Sequence, residues 1–310
     1  MPAGPPGRTP RLWGFSPILV IDPAEAGFPA PTVDTVIRIG VLTPHAAAGP
    51  EAEFAAMAPG RLATSVTRVA DADGSGGPAS PAALRALTAA PFLNRAAEQL
   101  LTDHPVDVIG YASTTSAYVI GFDAEMAMVS RLSQLTGLAV AATSASAVRA
   151  LRVLQVQRVA LIGAPWFDPE FNELGAAYFS SQGFDVVSSA SAGLSQDPRA
   201  IEPAAVCEWA SRHVDAAAEA VFIGGNGFRA AGAIKALEAA IDRPVLTSNQ
   251  VLLAAPRAGR RHVRDQRLWP AVHAQTLSTQ PRPAATGYPG PPQTPAGISG
   301  WRGPRPVRAL

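Results

Sequence analysis

The chain has 310 residues, 47% of them hydrophobic and 16% charged, with a formal net charge of +1, which is room for one large or two small domains with buried cores. No apolar run reaches membrane-spanning length, and the single cysteine, Cys207, excludes an intrachain disulfide and a cysteine-built metal site. Arg8 and Arg11 are followed by no continuous apolar core, because Pro2, Pro5, Pro6, Pro10 and Pro17 interrupt the N-terminus; no secretory signal is read there, and a cytoplasmic, reducing location is expected.

The near-neutral balance hides a split. Residues 254–310 hold nine arginines and one acid, Asp265, which leaves residues 1–253 with sixteen basic and twenty-three acidic side chains. The basic tail has no lysine, scattered arginines and ten prolines, so it forms no periodic basic face, and neither a nucleic-acid nor a membrane partner is expected.

Residues 1–35 are rich in Pro and Gly and are expected to be a disordered extension from an upstream start. From residue 36 onward, short β-branched runs alternate with alanine-rich stretches of helical length, the pattern of a parallel sheet. The expected strands are Val36–Leu42, Thr64–Val69, Val106–Tyr111, Leu138–Thr143, Arg158–Ile162, Asp185–Ser188, Ala220–Ile223 and Val245–Thr247. Between them the spacing predicts helices over Pro91–Thr102, Asp123–Thr136, Ser144–Leu154, Pro169–Gln182, Pro203–Val214 and Arg229–Ile241. The fold class is therefore α/β, with two similar lobes, 36–150 and 151–253. Each is a four-stranded parallel sheet flanked by helices, and the active cleft lies between them.

In open parallel sheets ligands bind beyond the strand C-termini, so the strand-to-helix junctions are the site candidates. They are Thr43-Pro44-His45, Ser113-Thr114-Thr115-Ser116, Thr143-Ser144, Gly163–Phe167, Gly224–Phe228 and Thr247-Ser248-Asn249-Gln250. Hydroxyls, amides and glycine-exposed N–H groups ahead of helix N-termini suit a carboxylate or enolate without a lysine or a metal. The same residues serve equally as helix caps. Cys207, within the helix expected at Pro203–Val214, reads as a small core residue. Asp168 and Glu170 read as first-turn carboxylates.

Five segments, "IGVLTPHAAAGPE" (39–51), "YASTTSAY" (111–118), "VALIGAPWFDPEFNE" (159–173), "GGNGFRAAGAIKALE" (224–238) and "RPVLTSNQ" (243–250), together resemble the aspartate/glutamate racemase superfamily. Within it they resemble the branch of maleate cis–trans isomerases and arylmalonate decarboxylases. The resemblance implies a cofactor-independent, metal-independent enzyme acting on a small carboxylic acid or dicarboxylate, possible homo-oligomers, and a cysteine at one or both of two facing positions. Here Ser113 matches the first cysteine and Gly225 the second. Thr114 and Thr115 match a pair that binds carboxylate in the decarboxylases, and Trp166 falls near a tyrosine placed over the ligand. Ser113 and His45 are thus the catalytic candidates, and Pro44, Thr114, Thr115, Trp166, Gly225, Asn226 and Gly227 the binding candidates. A hydroxyl needs a neighbour to activate it, and His45 is the titratable group at a strand junction; a loop histidine with no catalytic part is the other reading.

Two further readings stand beside this one. Gly225–Ala230 fits the loose dinucleotide fingerprint G-x-G-x-x-A, but the next strand ends in Thr247-Ser248-Asn249-Gln250 with no carboxylate for a ribose, and the fingerprint sits at the seventh strand. The other is a non-catalytic small-carboxylate-binding protein or an inactive family member, because neither cysteine position is ionisable. Beyond Leu253 the resemblance stops, and Asp265–His273 read one nucleotide later can encode Thr-Asn-Gly-Tyr-Gly-Arg-Leu-Phe, an ending of the kind expected. Residues 254–310 therefore read as a frameshifted tail, from a mutation or a sequencing error, with an ordinary Pro-rich tail of chance codon compatibility as the other reading; on either, 254–275 are at best loosely packed and 276–310 disordered.

Overall fold

The structure is a computed structural model that describes residues 36–46, 48–70 and 80–260, with side chains described to residue 255. The expectations for residues 1–35 and for the tail beyond residue 260 lie outside the described residues.

The first lobe runs β1 (Ile37–Thr43), α1 (Pro50–Met57), β2 (Leu62–Arg68), α2 (Pro81–Thr88), α3 (Ala90–Asp103), β3 (Val108–Tyr111), α4 (Thr114–Ile120), α5 (Phe122–Thr136), β4 (Ala139–Ala142) and α6 (Thr143–Val153). The second runs β5 (Arg158–Gly163), α7 (Pro169–Ser181), β6 (Asp185–Ser191), α8 (Pro203–His213), β7 (Ala220–Ile223), α9 (Ile234–Ile241), β8 (Val245–Thr247) and α10 (Ser248–Arg260). The two sheets share one topology, β2-β1-β3-β4 and β6-β5-β7-β8, and every pairing is parallel. This is the expected α/β class with two similar lobes.

Local sequence explains the boundaries. Ser80 caps α2 ahead of Pro81, its side chain accepting the Ala83 N–H, and Asp168 caps α7 ahead of Pro169 by accepting the Phe171 N–H at 3.0 Å. Gly137 ends α5 in the left-handed conformation at φ +66°. The helix expected from Arg229 begins only at Ile234, because residues 226–228 and 231–233 form 3-10 turns. Helices α1, α2 and α4, absent from the sequence reading, are seven or eight residues long, too short for a helical period to stand out.

Helix α10 carries the chain back from the second lobe to the first. Val251 packs with Leu151, Phe222 and Leu246, whereas Leu252 and Leu253 pack with Ile39, Val41, Phe54, Val108 and Ala112 under the first sheet. Leu252 and Leu253 are fully buried, worth about 1.5–3 kcal/mol each. The break read at Leu253 therefore falls inside a helix that continues to Arg260. Cys207 is half-buried and packs against the second-lobe core, with burial pushing its thiol pKa up.

Candidate functional site

The C-terminal ends of β1 and β3 lie side by side in the first sheet. Thr43 ends β1 and donates its hydroxyl to the Ala112 carbonyl at 2.8 Å, and its Oγ1 also accepts the His45 N–H at 3.3 Å. This tie places the loop after β1 against the turn after β3. In that turn Ser113 caps α4: Oγ accepts the Ser116 N–H at 3.1 Å and donates to Ser116 Oγ at 2.7 Å, which also accepts the Tyr111 hydroxyl at 3.0 Å. Ser113, Thr114, Thr115 and Ser116 are all buried. The hydroxyl cluster is therefore a cap and a network at once.

His45 meets this network from the neighbouring loop. Its Nε2 is 2.9 Å from Ser113 Oγ and 3.4 Å from Thr115 Oγ1. With Nδ1 protonated, the single Ser113 hydroxyl hydrogen reaches Nε2 by turning away from Ser116; in the other tautomer Nε2–H donates to Ser113. Loss of solvation, with the charge of Arg68 as a second cause, lowers the His45 pKa to about 4, so the imidazole is neutral at pH 7 and able to accept a proton. Pro44, between the two, is half-buried and stiffens the approach to His45.

The second lobe contributes the turn after β7. Gly225 has φ +104°, and a Cβ there would lie 2.8 Å from Ala164 Cβ, so both backbone and space demand glycine. Its N–H donates to Thr114 Oγ1 at 3.0 Å, and that hydroxyl lies 3.3 Å from Asn226 Oδ1 and 3.0 Å from Ser248 Oγ. The Asn226 amide donates to Thr143 Oγ1 at 3.2 Å and Asn249 Oδ1 at 2.8 Å. Gly49 abuts this turn, since a Cβ on it would lie 1.9 Å from the Asn226 carbonyl oxygen and 3.1 Å from Gly227 Cα. Trp166 is half-buried and packs edge-on against Phe228, ring centroids 6.2 Å apart, beside the second-lobe core.

The structure thus brings His45 to Ser113 and Thr115 in one hydrogen-bonded group, and Thr114 to Gly225 and Asn226 across the lobes in a second, from the same turn after β3. Two carboxylates that the sequence reading passed over also join the lobes. Buried Glu53 on α1 accepts the Ala231 N–H and the Asn249 amide, both at 2.7 Å, and burial raises its pKa. Buried Glu125 on α5 accepts the hydroxyl of Tyr178 on α7 and the Ala145 N–H at 3.3 Å, and burial lifts its pKa to about 7. Among the described residues no group of three His, Cys, Asp or Glu is placed to hold a metal ion, and no helix is long and apolar enough to cross a membrane.

Comparison with known proteins agrees with this architecture. No curated protein sequence matches the chain. Among solved structures, the chain is similar to the Nocardia farcinica maleate cis–trans isomerase bound to TRIS, with 22% identity over 78% of this chain and 100% of that one, at a TM-score of 0.64. It is also similar to a maleate isomerase variant from Pseudomonas putida S16 with maleate (21% identity, 73% and 92% covered, TM-score 0.61) and to unliganded arylmalonate decarboxylase (20%, 71% and 91%, TM-score 0.57). At these identities the likeness is one of fold. The family model described as arylmalonate decarboxylase matches residues 92–258, more than half of the sequence, and the chain belongs to the arylmalonate decarboxylase family.

Proposed function

We propose that this chain is a cofactor-independent, isomerase-type enzyme acting on a small carboxylate, in which Ser113, at the position that matches the first cysteine of relatives, works with His45. The observation that carries this reading is the 2.9 Å approach of His45 Nε2 to Ser113 Oγ at the strand end that matches the family's first cysteine. The ligand carboxylate is held at the hydroxyl-lined turn 113–115, with the backbone of Gly225–Gly227 facing it. A neutral imidazole accepts a proton. The pair therefore suits a step in which Ser113 Oγ adds to an unsaturated carbon while its proton passes to His45 Nε2, the electrons of the double bond moving to the carboxylate-stabilised carbon. Rotation about the resulting single bond and reversal of the step complete a geometric isomerisation. One solved relative is a cysteine-to-serine variant of the Nocardia farcinica isomerase with a covalently bound succinylcysteine intermediate, and the Ser113 adduct proposed here is its oxygen counterpart. Decarboxylation is the weaker match, because it needs a proton donor for the enediolate and the second cysteine position is Gly225.

One observation favours a second reading, carboxylate binding without turnover: the Thr114 hydroxyl and the Asn226 amide already satisfy one another across the lobes. A single experiment separates the two. Maleate and phenylmalonate are incubated with the protein in deuterium oxide and followed by proton NMR. Isomerisation of maleate that disappears in Ser113→Ala and His45→Ala supports the enzyme. Saturable binding with no isomerisation, exchange or release of carbon dioxide supports the binder.

A further inference from the structure

Arg68 closes the edge strand β2 at the same sheet end as the site, in register with Thr43. Its guanidinium is braced on one side. Nη2 donates to Glu51 Oε1, and Glu51 is held in turn because its Oε2 accepts the Gly49 N–H at 3.0 Å. The side chain is 35% exposed, but its Nη1 is buried and has no hydrogen-bond partner among the described residues. A buried donor on a cation left without an acceptor is costly and rare, and guanidinium geometry suits a carboxylate. The charge is also close to the reacting pair, since Arg68 is one cause of the lowered His45 pKa. The turn at 113–115, by contrast, offers only neutral donors.

We infer that Arg68 is a second anion-anchoring residue of this site, its Nη1 receiving a carboxylate of a ligand whose other end reaches the Ser113–Thr115 turn. The inference rests on the reading of the site as one for small carboxylates, and adds the residue that discriminates between ligands by charge. Glu51 occupies the other edge of the guanidinium, so one carboxylate fits and the fixed pair keeps Arg68 aimed. A ligand with a methyl group in place of its second carboxylate leaves Nη1 unsatisfied and loses the charge-assisted bond.

The test compares maleate with isocrotonate, which has the same cis skeleton and one carboxylate fewer, by titration calorimetry. The wild type is expected to bind maleate about tenfold or more tightly than isocrotonate. Arg68→Met should bring the two affinities within about threefold by weakening maleate alone, and Arg68→Lys, which keeps the charge without the planar fork, should fall between. A measurement on the wild type guards against a variant that fails to fold: maleate should raise the His45 imidazole pKa seen by NMR more than isocrotonate does, because a carboxylate on Arg68 offsets its charge. Maleate selectivity undiminished in both variants, or equal His45 shifts with the two ligands, overturns the role of Arg68 and leaves the carboxylate site standing. Binding of neither probe overturns the site and its anchor together.

Discussion

The hydroxyl of Thr114 accepts the backbone N–H of Gly225 at 3.0 Å, a bond from the residue group after β3 to the residue after β7. A threonine on the turn proposed to hold the ligand thus also ties the two lobes together. Thr114→Val keeps the shape and leaves a Gly225 donor unsatisfied, so it should cost about 1–3 kcal/mol in urea unfolding, while Thr114→Ser should stay close to wild type. Equal stability of the valine variant would show that water replaces the threonine.

Gly225 makes a second test of how far the site departs from its relatives. Its φ of +104° and the 2.8 Å approach of an added Cβ to Ala164 mean that Gly225→Cys, which would put a cysteine at the position that resemblance matches to the family's second, is expected to destabilise by about 1–3 kcal/mol through backbone strain alone. Ser113→Cys meets no such obstacle, since Ser113 has φ −154° and a side chain already beside His45. The thiol variant should fold like the wild type and isomerise maleate faster, because a thiol ionises more readily than a hydroxyl. Calorimetric melting and an NMR rate on the two variants check both statements.

The strands were legible because apolar runs such as Val159-Ala160-Leu161-Ile162 are buried on both faces, and such burial writes itself into composition. Ser113, Thr114, Thr115 and Asn226 were legible for a different reason: a parallel sheet sends every strand end to one edge. Glu53 and Arg68 were not. Glu53 reaches Ala231 across 178 residues, and a glutamate in the first turn of a short helix looks like any dipole-stabilising acid. Arg68 ends a half-exposed edge strand, where a charge usually means a solvated face. Trp166 falls by resemblance near a tyrosine placed over the ligand, a position that either lines the pocket or packs, and in the fold its ring packs edge-on against Phe228.

Glu53 carries a prediction of its own. Its two oxygens take donors from the turn at Ala231 and from Asn249, and Asn249 also donates to the Asn226 carbonyl at 2.8 Å. Glu53→Gln places an amide donor against one of these donors, leaving a buried polar group unpaired at about 1–3 kcal/mol. Hydrogen exchange should quicken at Ala231 and over residues 225–231, with the strands of both sheets unchanged. Uniform acceleration through the whole molecule would mean that the carboxylate serves global stability and not the placement of Asn226.

Glu125 links stability to pH. It has no solvent exposure, and burial raises its pKa to about 7 from an ordinary 4.5 despite hydrogen bonds from Tyr178 and the α6 backbone. Between those two values the native protein keeps a proton that the unfolded chain releases, so stability falls as pH rises through this window, by at most about 1.4 kcal/mol per unit, and the loss is complete above pH 7. His45, whose pKa is lowered to about 4, acts in the opposite sense, adding stability as pH rises from about 4 to its unfolded value near 6.5. Comparing Glu125→Gln with the wild type cancels the histidine and isolates the carboxyl, because glutamine cannot ionise. The melting temperature of the variant relative to the wild type is therefore expected to climb by several degrees between pH 5 and pH 8, at roughly 2–4 °C per kcal/mol. Tyr178 adds nothing in this range, since burial beside Glu125 pushes its pKa further up. Melting curves of the two proteins that stay parallel with pH would mean that Glu125 is ionised throughout and that the Tyr178 hydroxyl holds a carboxylate, not a carboxylic acid, between the lobes.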